Sequence, residues 1–189
     1  IHFELHGSPE GLECSNSDLV GWSTLSSYLR PINQACNNNL FITMASCYGA
    51  HIFKCIDPTL VSPFWGYIGP EDDINEGELE LAFNGFYDTF LDTRNINEAL
   101  NVFELQNAIT IKFFNAELIF DKAWEWYRSE KLKPENLNKR LEKLFERALA
   151  EKLIDSSRKE EWLLTTRNQL ENDDTLYQDL KSIFLGYSK

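Results

Sequence analysis

Hydrophobic and polar side chains alternate over the first five residues and then give way to two other patterns. The alternation over residues 1–5 predicts a strand that stops at His6-Gly7. Apolar residues then recur at helical spacing from Trp22 to Ile32, and Pro31 is expected to end that helix. Leu40–Ala45 is an apolar run without charges, typical of a strand buried on both faces. This strand, helix and strand form a βαβ unit, which predicts parallel strands joined by a right-handed crossover.

After residue 60 the pattern predicts one more strand and then helices. Pro63–Gly69 is predicted to be a third strand, followed by the acidic loop Glu71–Asp73. Apolar residues that share one face predict a helix around residues 79–90, with a second helix at 97–103. Ala108–Phe114 is compatible with a fourth strand or with more helix, because a short apolar run does not distinguish the two.

From Asn115 onward the pattern is helical. Pro134 suits the first turn of a helix, and further helices are predicted at Trp162–Leu170 and Leu176–Leu185. The sequence therefore predicts an α/β domain over residues 1–115 and an α-helical extension over 116–189. Because this sheet has few strands for a buried parallel sheet, we expect further strands to precede Ile1 or to come from another chain.

The formal net charge of −12 comes entirely from the first 120 residues, which hold 16 acidic and four basic side chains. Residues 121–189 hold 14 of each sign. An acidic surface disfavours nucleic acid and anionic membranes as partners and favours a basic peptide, although a solvated acidic face explains the charge equally well. No apolar run has the roughly 18 residues that a membrane span needs, and no glycine-rich phosphate-binding loop occurs.

The four cysteines, Cys14, Cys36, Cys47 and Cys55, include no Cys-x-x-Cys pair. This usage predicts free thiols and a reducing, cytoplasmic setting. Cys47, His51 and Cys55 are spaced by four residues, and Cys36 is a candidate fourth zinc ligand. On one helix, however, three such positions span about 12 Å, which is too far for a single ion. We therefore predict no metal.

Two predicted strands end in residues that carry chemistry, His6-Gly7 and Cys47. If these strands are parallel neighbours, their ends lie about 4.8 Å apart, which brings imidazole and thiol within reach of each other. A nucleophilic cysteine needs such a base. The N–H groups of Gly7 and Cys47 would form an oxyanion hole beside it. His51, which follows Cys47 by one helical turn, is a rival base.

Each of these features also has an ordinary explanation. A His-Gly pair is common at strand ends, and a cysteine after an apolar strand is usually an inert buried thiol. The five tryptophans are most simply core residues. Only Trp65, and more weakly Tyr67, could line a substrate pocket.

An apolar strand with His-Gly, then a helix, then an apolar strand with small-small-Cys-x-Gly resembles the caspase-like clan of cysteine peptidases. Here these elements are Ile1–Gly7 and Leu40–Gly49. The downstream stretch Phe64–Asp73, with the following Phe-rich helix, is similar to the CHAT branch of that clan. The resemblance covers residues 1 to about 115.

The resemblance implies a caspase-like, mostly parallel sheet flanked by helices and a cysteine endopeptidase activity without a metal or organic cofactor. It implies that His6 is the general base, that Cys47 is the nucleophile, and that the N–H groups of Gly7 and Cys47 bind the oxyanion. Related proteins often work in multi-part regulatory or defence systems, so an activating protein partner is expected.

Two departures from the family pattern stand out. Members that cut after Arg or Lys often carry an Asp just before the nucleophile, where this chain has Ala45-Ser46. Basic specificity would need acidic groups from elsewhere, and Glu71, Asp72 and Asp73 are the candidates, although a polar loop or helix start explains them too. The family's sheet also begins before its His-bearing strand.

An alternative function is therefore a catalytically idle caspase-like module whose helical tail binds a protein partner.

Overall fold

The computed structural model describes residues 1–106, 110–171 and 174–187. The chain divides into two compact units. The first comprises Ile1–Ile119 together with the residues from Ile183 onward, and the second comprises Phe120–Ser182. The strands are β1 (His2–Glu4), β2 (His6–Gly7), β3 (Gly11–Glu13), β4 (Leu19–Gly21), β5 (Phe41–Ala45), β6 (Gly66–Pro70) and β7 (Ile111–Asn115).

The main sheet of the first unit has the strand order β1-β5-β6-β7. Strands β1 and β5 are parallel, as the βαβ pattern predicts, β6 is parallel to β5, and β7 is antiparallel to β6. The run that was ambiguous between strand and helix is thus a strand from Ile111, while residues 108 and 109 lie outside the described residues. The sheet is therefore mixed.

A second, three-stranded antiparallel sheet of order β2-β3-β4 corrects the sequence analysis, which ended the first strand at His6-Gly7 and placed a loop after it. The first strand ends at Glu4, and His6-Gly7 begins this separate sheet. A tight turn causes the reversal, because the N–H of Ser8 donates to the carbonyl of Gly11 and the N–H of Gly11 to that of Ser8. The two residues between them are Pro9 and Glu10, typical turn residues.

Helices cover both faces of the main sheet. They are α1 (Trp22–Ala35), α2 (Glu76–Thr93) and α3 (Ile96–Leu105). Ile42 and Met44 of β5 join the core cluster that contains α1, whereas Ala45 joins the cluster that contains α2 and α3. Successive strand residues point to opposite faces, so the uncharged run of β5 is buried on both, as predicted.

Helix α1 continues past Pro31, where the sequence pattern predicted its end. Two side chains near Pro31 bind the loop at residues 61–62. Arg30 Nε donates to the carbonyl of Val61 at 2.7 Å, and the buried Asn33 Nδ2 donates to that of Ser62 at 2.9 Å. Pro31 itself is exposed, which places its ring on the solvent side of the helix.

The remaining helices are α4 (Ala116–Lys131), α5 (Pro134–Ala150), α6 (Lys159–Glu171) and α7 (Asp174–Phe184). Pro134 is the first residue of α5, as predicted, and Leu137, Leu141 and Phe145 form the buried face of that helix. The last turn of α7 returns to the first unit, where Phe184 is fully buried and its carbonyl accepts from the N–H of Ser62 at 2.8 Å. Within the described residues, no helix combines the length and apolar character needed to cross a membrane.

Candidate active site

Parallel pairing of β1 and β5 brings the first candidate segment to the second. Glu4 lies opposite Ala45 at the carboxyl end of both strands. Beyond that pair, the backbone of Gly7 lies directly against Ser46 and Cys47. A β-carbon on Gly7 would clash with the hydroxyl oxygen of Ser46 and the carbonyl oxygen of Cys47. Only glycine allows this approach without rearrangement.

The chain turns sharply after Cys47. Tyr48 adopts the left-handed conformation (φ 58°), which is uncommon for a bulky residue, and a 3-10 helix follows at Gly49–Cys55. Gly49 lies so close to Met44 that a β-carbon would come within 2.6 Å of the Met44 side chain. The fully buried Tyr67 of β6 donates its hydroxyl hydrogen bond to the carbonyl of Gly49 at 2.6 Å. The core thus fixes the turn that carries Cys47.

The thiol of Cys47 is half-buried and faces the loop that follows β6. Its Sγ donates a hydrogen bond to the carbonyl oxygen of Ile74 at 3.6 Å. Burial raises the pKa of Cys47, and the Asp73 carboxylate raises it further through hydrogen bonding and charge repulsion. The backbone of Ile74 and the N–H of Cys47 itself lower the pKa, but the net direction is upward. The thiol therefore keeps its proton more firmly than a free cysteine does.

His6 is exposed and lies in β2 opposite Glu13. The topology brings its segment to Cys47 through the neighbouring Gly7. Among the described residues, however, no hydrogen bond joins the His6 imidazole to the Sγ of Cys47, whose hydrogen bond goes to Ile74. Catalytic hydrogen bonds are often long or poorly aligned before substrate binds, so the absence of this one does not exclude His6 as a partner of the thiol.

His51, the rival base, has other partners. Its Nδ1 lies 3.2 Å from the carbonyl oxygen of Pro9, and its Nε2 lies 2.9 Å from Nζ of Lys54. A neutral ring that donates from Nδ1 and accepts at Nε2 satisfies both contacts. Both ring nitrogens are thus occupied away from Cys47.

The four cysteines are all free thiols, and Cys36 and Cys55 are exposed. Over the part of the chain that the structure describes, no group of three or more His, Cys, Asp or Glu side chains is arranged to hold a metal ion. The alternative zinc set of Cys36, Cys47, His51 and Cys55 is therefore not assembled.

The structure separates the four residues considered for substrate binding. Trp65 precedes β6 and packs against Phe41 at the amino end of β5, with ring centroids 6.1 Å apart. It therefore lies at the amino-terminal end of the parallel strands, whereas Cys47 lies at their carboxyl-terminal end. Tyr67 lies in the core and supports the turn instead of lining an open pocket. Asp72 and Asp73 are exposed at the carboxyl end of β6, on the same edge as Cys47, and Asp73 acts on its thiol.

Sequence reasoning missed two contributors to this site, Tyr48 and Ile74. The N–H of Tyr48 donates to the carbonyl of Asp72 at 3.2 Å, which ties the acidic loop to the residue after Cys47. The pKa of the Tyr48 hydroxyl is raised, first by the Asp73 carboxylate, then by burial, and then by Asp72, Cys47 and Glu10. The surface around Cys47, the mouth of the site, is therefore acidic. No local pattern signals these contacts, because they join residues about 25 positions apart in the chain.

Comparison of this chain with models of known protein families gives no match. Comparisons with curated proteins and with solved structures also give no significant match. The resemblance to caspase-like peptidases therefore stays a prediction, and a functional interpretation must depend on the geometry of the site and on its motifs.

Proposed function

We propose that this chain is a cysteine endopeptidase of the caspase-like type, with Cys47 as nucleophile and His6 as general base. The observation that carries the proposal is the close approach of the Gly7 backbone to Cys47. It brings a His-Gly segment and a cysteine together at the carboxyl edge of a parallel strand pair, where active sites of α/β sheets usually lie.

In the proposed reaction, the Sγ proton of Cys47 passes to the imidazole of His6, and the thiolate attacks the scissile carbonyl carbon. The N–H groups of Gly7 and Cys47 stabilise the resulting oxyanion. Collapse breaks the C–N bond, the imidazolium protonates the leaving amine, and a thioester remains. Water then attacks the thioester while His6 accepts its proton, which releases the acid and restores the thiol.

The acidic groups at the mouth of the site favour a substrate with a basic side chain next to the scissile bond. Asp72 and Asp73 are exposed and, among the described residues, form no salt bridge. A cationic side chain there would also offset the repulsion that Asp73 exerts on a thiolate at Cys47. We propose that a protein partner assists activation, because the hydrogen bond of the Cys47 thiol goes to the Ile74 carbonyl and not to an imidazole in this conformation.

The test is covalent labelling with peptidyl acyloxymethyl ketones, which form a thioether with an active cysteine. We expect an adduct on Cys47 that disappears in Cys47→Ala and forms at least about a hundredfold more slowly in His6→Ala, the range of a lost general base. His51→Ala and Cys36→Ala are matched controls and should label normally. A reagent with Arg beside the ketone should react faster than one with Leu. Equal labelling of Cys47 in the two histidine variants would refute the dyad.

A second candidate, a catalytically idle module that binds a protein partner through its helical tail, is favoured by one specific observation. The pKa of Cys47 is raised, first by burial and then by the Asp73 carboxylate, and this opposes thiolate formation. The second unit also exposes large apolar side chains, Trp126, Leu153 and Leu164. If no reagent labels Cys47 in a chain that is correctly folded, this second function is favoured.

A further inference from the structure

The loop after β6 forms a short bridge across Cys47. We infer that the segment Glu71–Asn75 is an autoinhibitory strap that is hydrogen-bonded to the Cys47 thiol and to the residue after it, and that the site becomes nucleophilic when this strap moves off the thiol. This inference rests on the proposed function, because it concerns the regulation of the same cysteine.

Both ends of the strap are anchored. At its start, the N–H of Glu71 donates to the carbonyl of Thr110 at 2.8 Å, where β6 meets the strand β7. At its end, Asn75 is the N-cap of α2, and its side chain accepts from the N–H of Gly77 at 2.9 Å. Such a cap satisfies a backbone donor that the helix itself leaves free, and it fixes where the helix begins.

The middle of the strap is held more weakly. Its polar contacts to the cysteine turn are the 3.2 Å hydrogen bond from Tyr48 N–H to the carbonyl of Asp72, the 3.6 Å bond from Cys47 Sγ to that of Ile74, and the hydrogen bonding of the exposed Asp73 side chain to Cys47. Asp72 and Asp73 are exposed, and only the half-buried side chain of Ile74 packs against the core. A segment with fixed ends and few contacts at its centre can open locally at low cost.

In the closed position the strap holds the thiol through the hydrogen bond from Sγ to the Ile74 carbonyl. After burial of the thiol, the Asp73 carboxylate of the strap raises the pKa of Cys47 further by hydrogen bonding and charge repulsion. The other charged groups near Cys47 are Asp72 on the strap and Glu10 on the β2–β3 turn, and His6 precedes the Gly7 whose backbone lies against Cys47. In the proposed reaction the imidazole of His6 takes the proton. When the strap moves away, the Sγ–H bond can break, the proton can pass to the His6 imidazole, and a thiolate–imidazolium pair results.

The anchor at Asn75 allows a matched test, because α3 has the same kind of cap. The side chain of Asn95 accepts from the N–H of Asn97 at 3.0 Å and has no role in the strap. We would measure the rate at which iodoacetamide alkylates each cysteine across pH 6–9 by mass spectrometry, in the full chain and in Asn75→Ala, Asn95→Ala and Asp73→Asn. The exposed Cys36 is the internal reference.

We expect Asn75→Ala to raise the alkylation rate of Cys47 at pH 7 by about threefold to fivefold, in line with the loss of one cap, and Asn95→Ala to leave it unchanged. Asp73→Asn should raise the rate about fivefold and move its pH midpoint down, because one nearby negative charge is removed. Equal alkylation rates of Cys47 in Asn75→Ala and Asn95→Ala, or an unchanged pH midpoint of that rate in Asp73→Asn, would refute the proposal of an autoinhibitory strap.

Failure of the strap and failure of the peptidase proposal give different results. If the strap is correct and the dyad is also correct, adding His6→Ala to Asn75→Ala should abolish the gain in rate. If that gain persists without His6, the strap stands and the proposed dyad fails. If Cys47 of the unmodified chain already reacts fast in a His6-dependent manner and Asn75→Ala adds nothing, the dyad stands and the strap fails.

Discussion

The hydroxyl of Tyr67 connects the central strand β6 to the turn that carries Cys47, so its removal should weaken both stability and the site. Tyr67 is 0% exposed, and its hydroxyl donates to the carbonyl of Gly49 at 2.6 Å. Tyr67→Phe keeps the ring and its contact with Phe64, whose centroid is 4.9 Å away, but removes the donor. The variant therefore isolates one buried hydrogen bond.

The expected cost follows from what remains after the change. A buried hydrogen bond contributes about 1 kcal/mol net, and an acceptor that loses its partner away from water costs about 1–3 kcal/mol. Gly49 is buried, so water cannot readily replace the phenol. We expect Tyr67→Phe to lower the free energy of unfolding of the first unit by about 1–2 kcal/mol, a factor of roughly 5–30 in the equilibrium between folded and unfolded states.

Hydrogen exchange followed by mass spectrometry measures this change locally, which matters because the chain has two compact units. Peptides from β5 and β6 should exchange about 5–30 times faster in Tyr67→Phe. Tyr28→Phe is the matched control, since Tyr28 lies in the same unit but is 66% exposed, and surface changes usually stay within about 0.5 kcal/mol. Equal exchange rates in the two variants would refute the assigned role of the hydroxyl.

Two further predictions concern backbone contact and charge. Gly7→Ala should lower the free energy of unfolding by about 1–3 kcal/mol, because its β-carbon would clash with Ser46 and Cys47. Gly21→Ala is the control, since its β-carbon would meet its nearest atom at 3.6 Å and should change the free energy of unfolding little. Similar urea midpoints for the two variants would contradict the close approach of Gly7 to Cys47. In the second unit, burial alone would raise the pKa of Asp121, but hydrogen bonds from Lys181 and Tyr177 lower it. A lowered folded-state pKa stabilises above the unfolded value of about 3.9, and that stabilisation is lost as pH falls through the folded value. Asp121→Asn should therefore lower the free energy of unfolding by about 0.5 kcal/mol at pH 7, with solvent screening allowed for, and by almost nothing near pH 2. An equal loss of stability at both pH values would contradict the ion pair.

The elements that were predictable are those whose pattern and burial agree. The uncharged run before Cys47 is typical of a buried strand and is one, and the helices α2 and α5 present apolar faces at the helical period. Helix α1 was predicted too short, because the rule that proline ends a helix ignores long-range contacts. The buried Asn33 binds Ser62 and also accepts from the N–H of Leu40, which stabilises the helix beyond Pro31.

The small antiparallel sheet was missed because its strands have only two or three residues and no apolar run. Its turn signals were nevertheless present. Ser8-Pro9-Glu10-Gly11 forms the first turn, and Trp22, at the start of α1, donates from its indole N–H to the carbonyls of Ser8 and Pro9 at 3.2 Å. These turn residues indicate a hairpin and a chain reversal after Gly7, which strand length alone does not.

One property of the candidate site follows from the strand order, and another depends on the loop after β6. Parallel pairing of β1 with β5 requires that the residues after both strands meet, so the proximity of the His6-Gly7 segment to Cys47 follows from the βαβ pattern. The protonation of the thiol does not follow from it. That property depends first on burial of the thiol and then on Asp73, whose loop reaches Cys47 because β6 lies beside β5. The sequence can therefore indicate where a nucleophile would lie, whereas whether it is a thiol or a thiolate depends on the position of the strap.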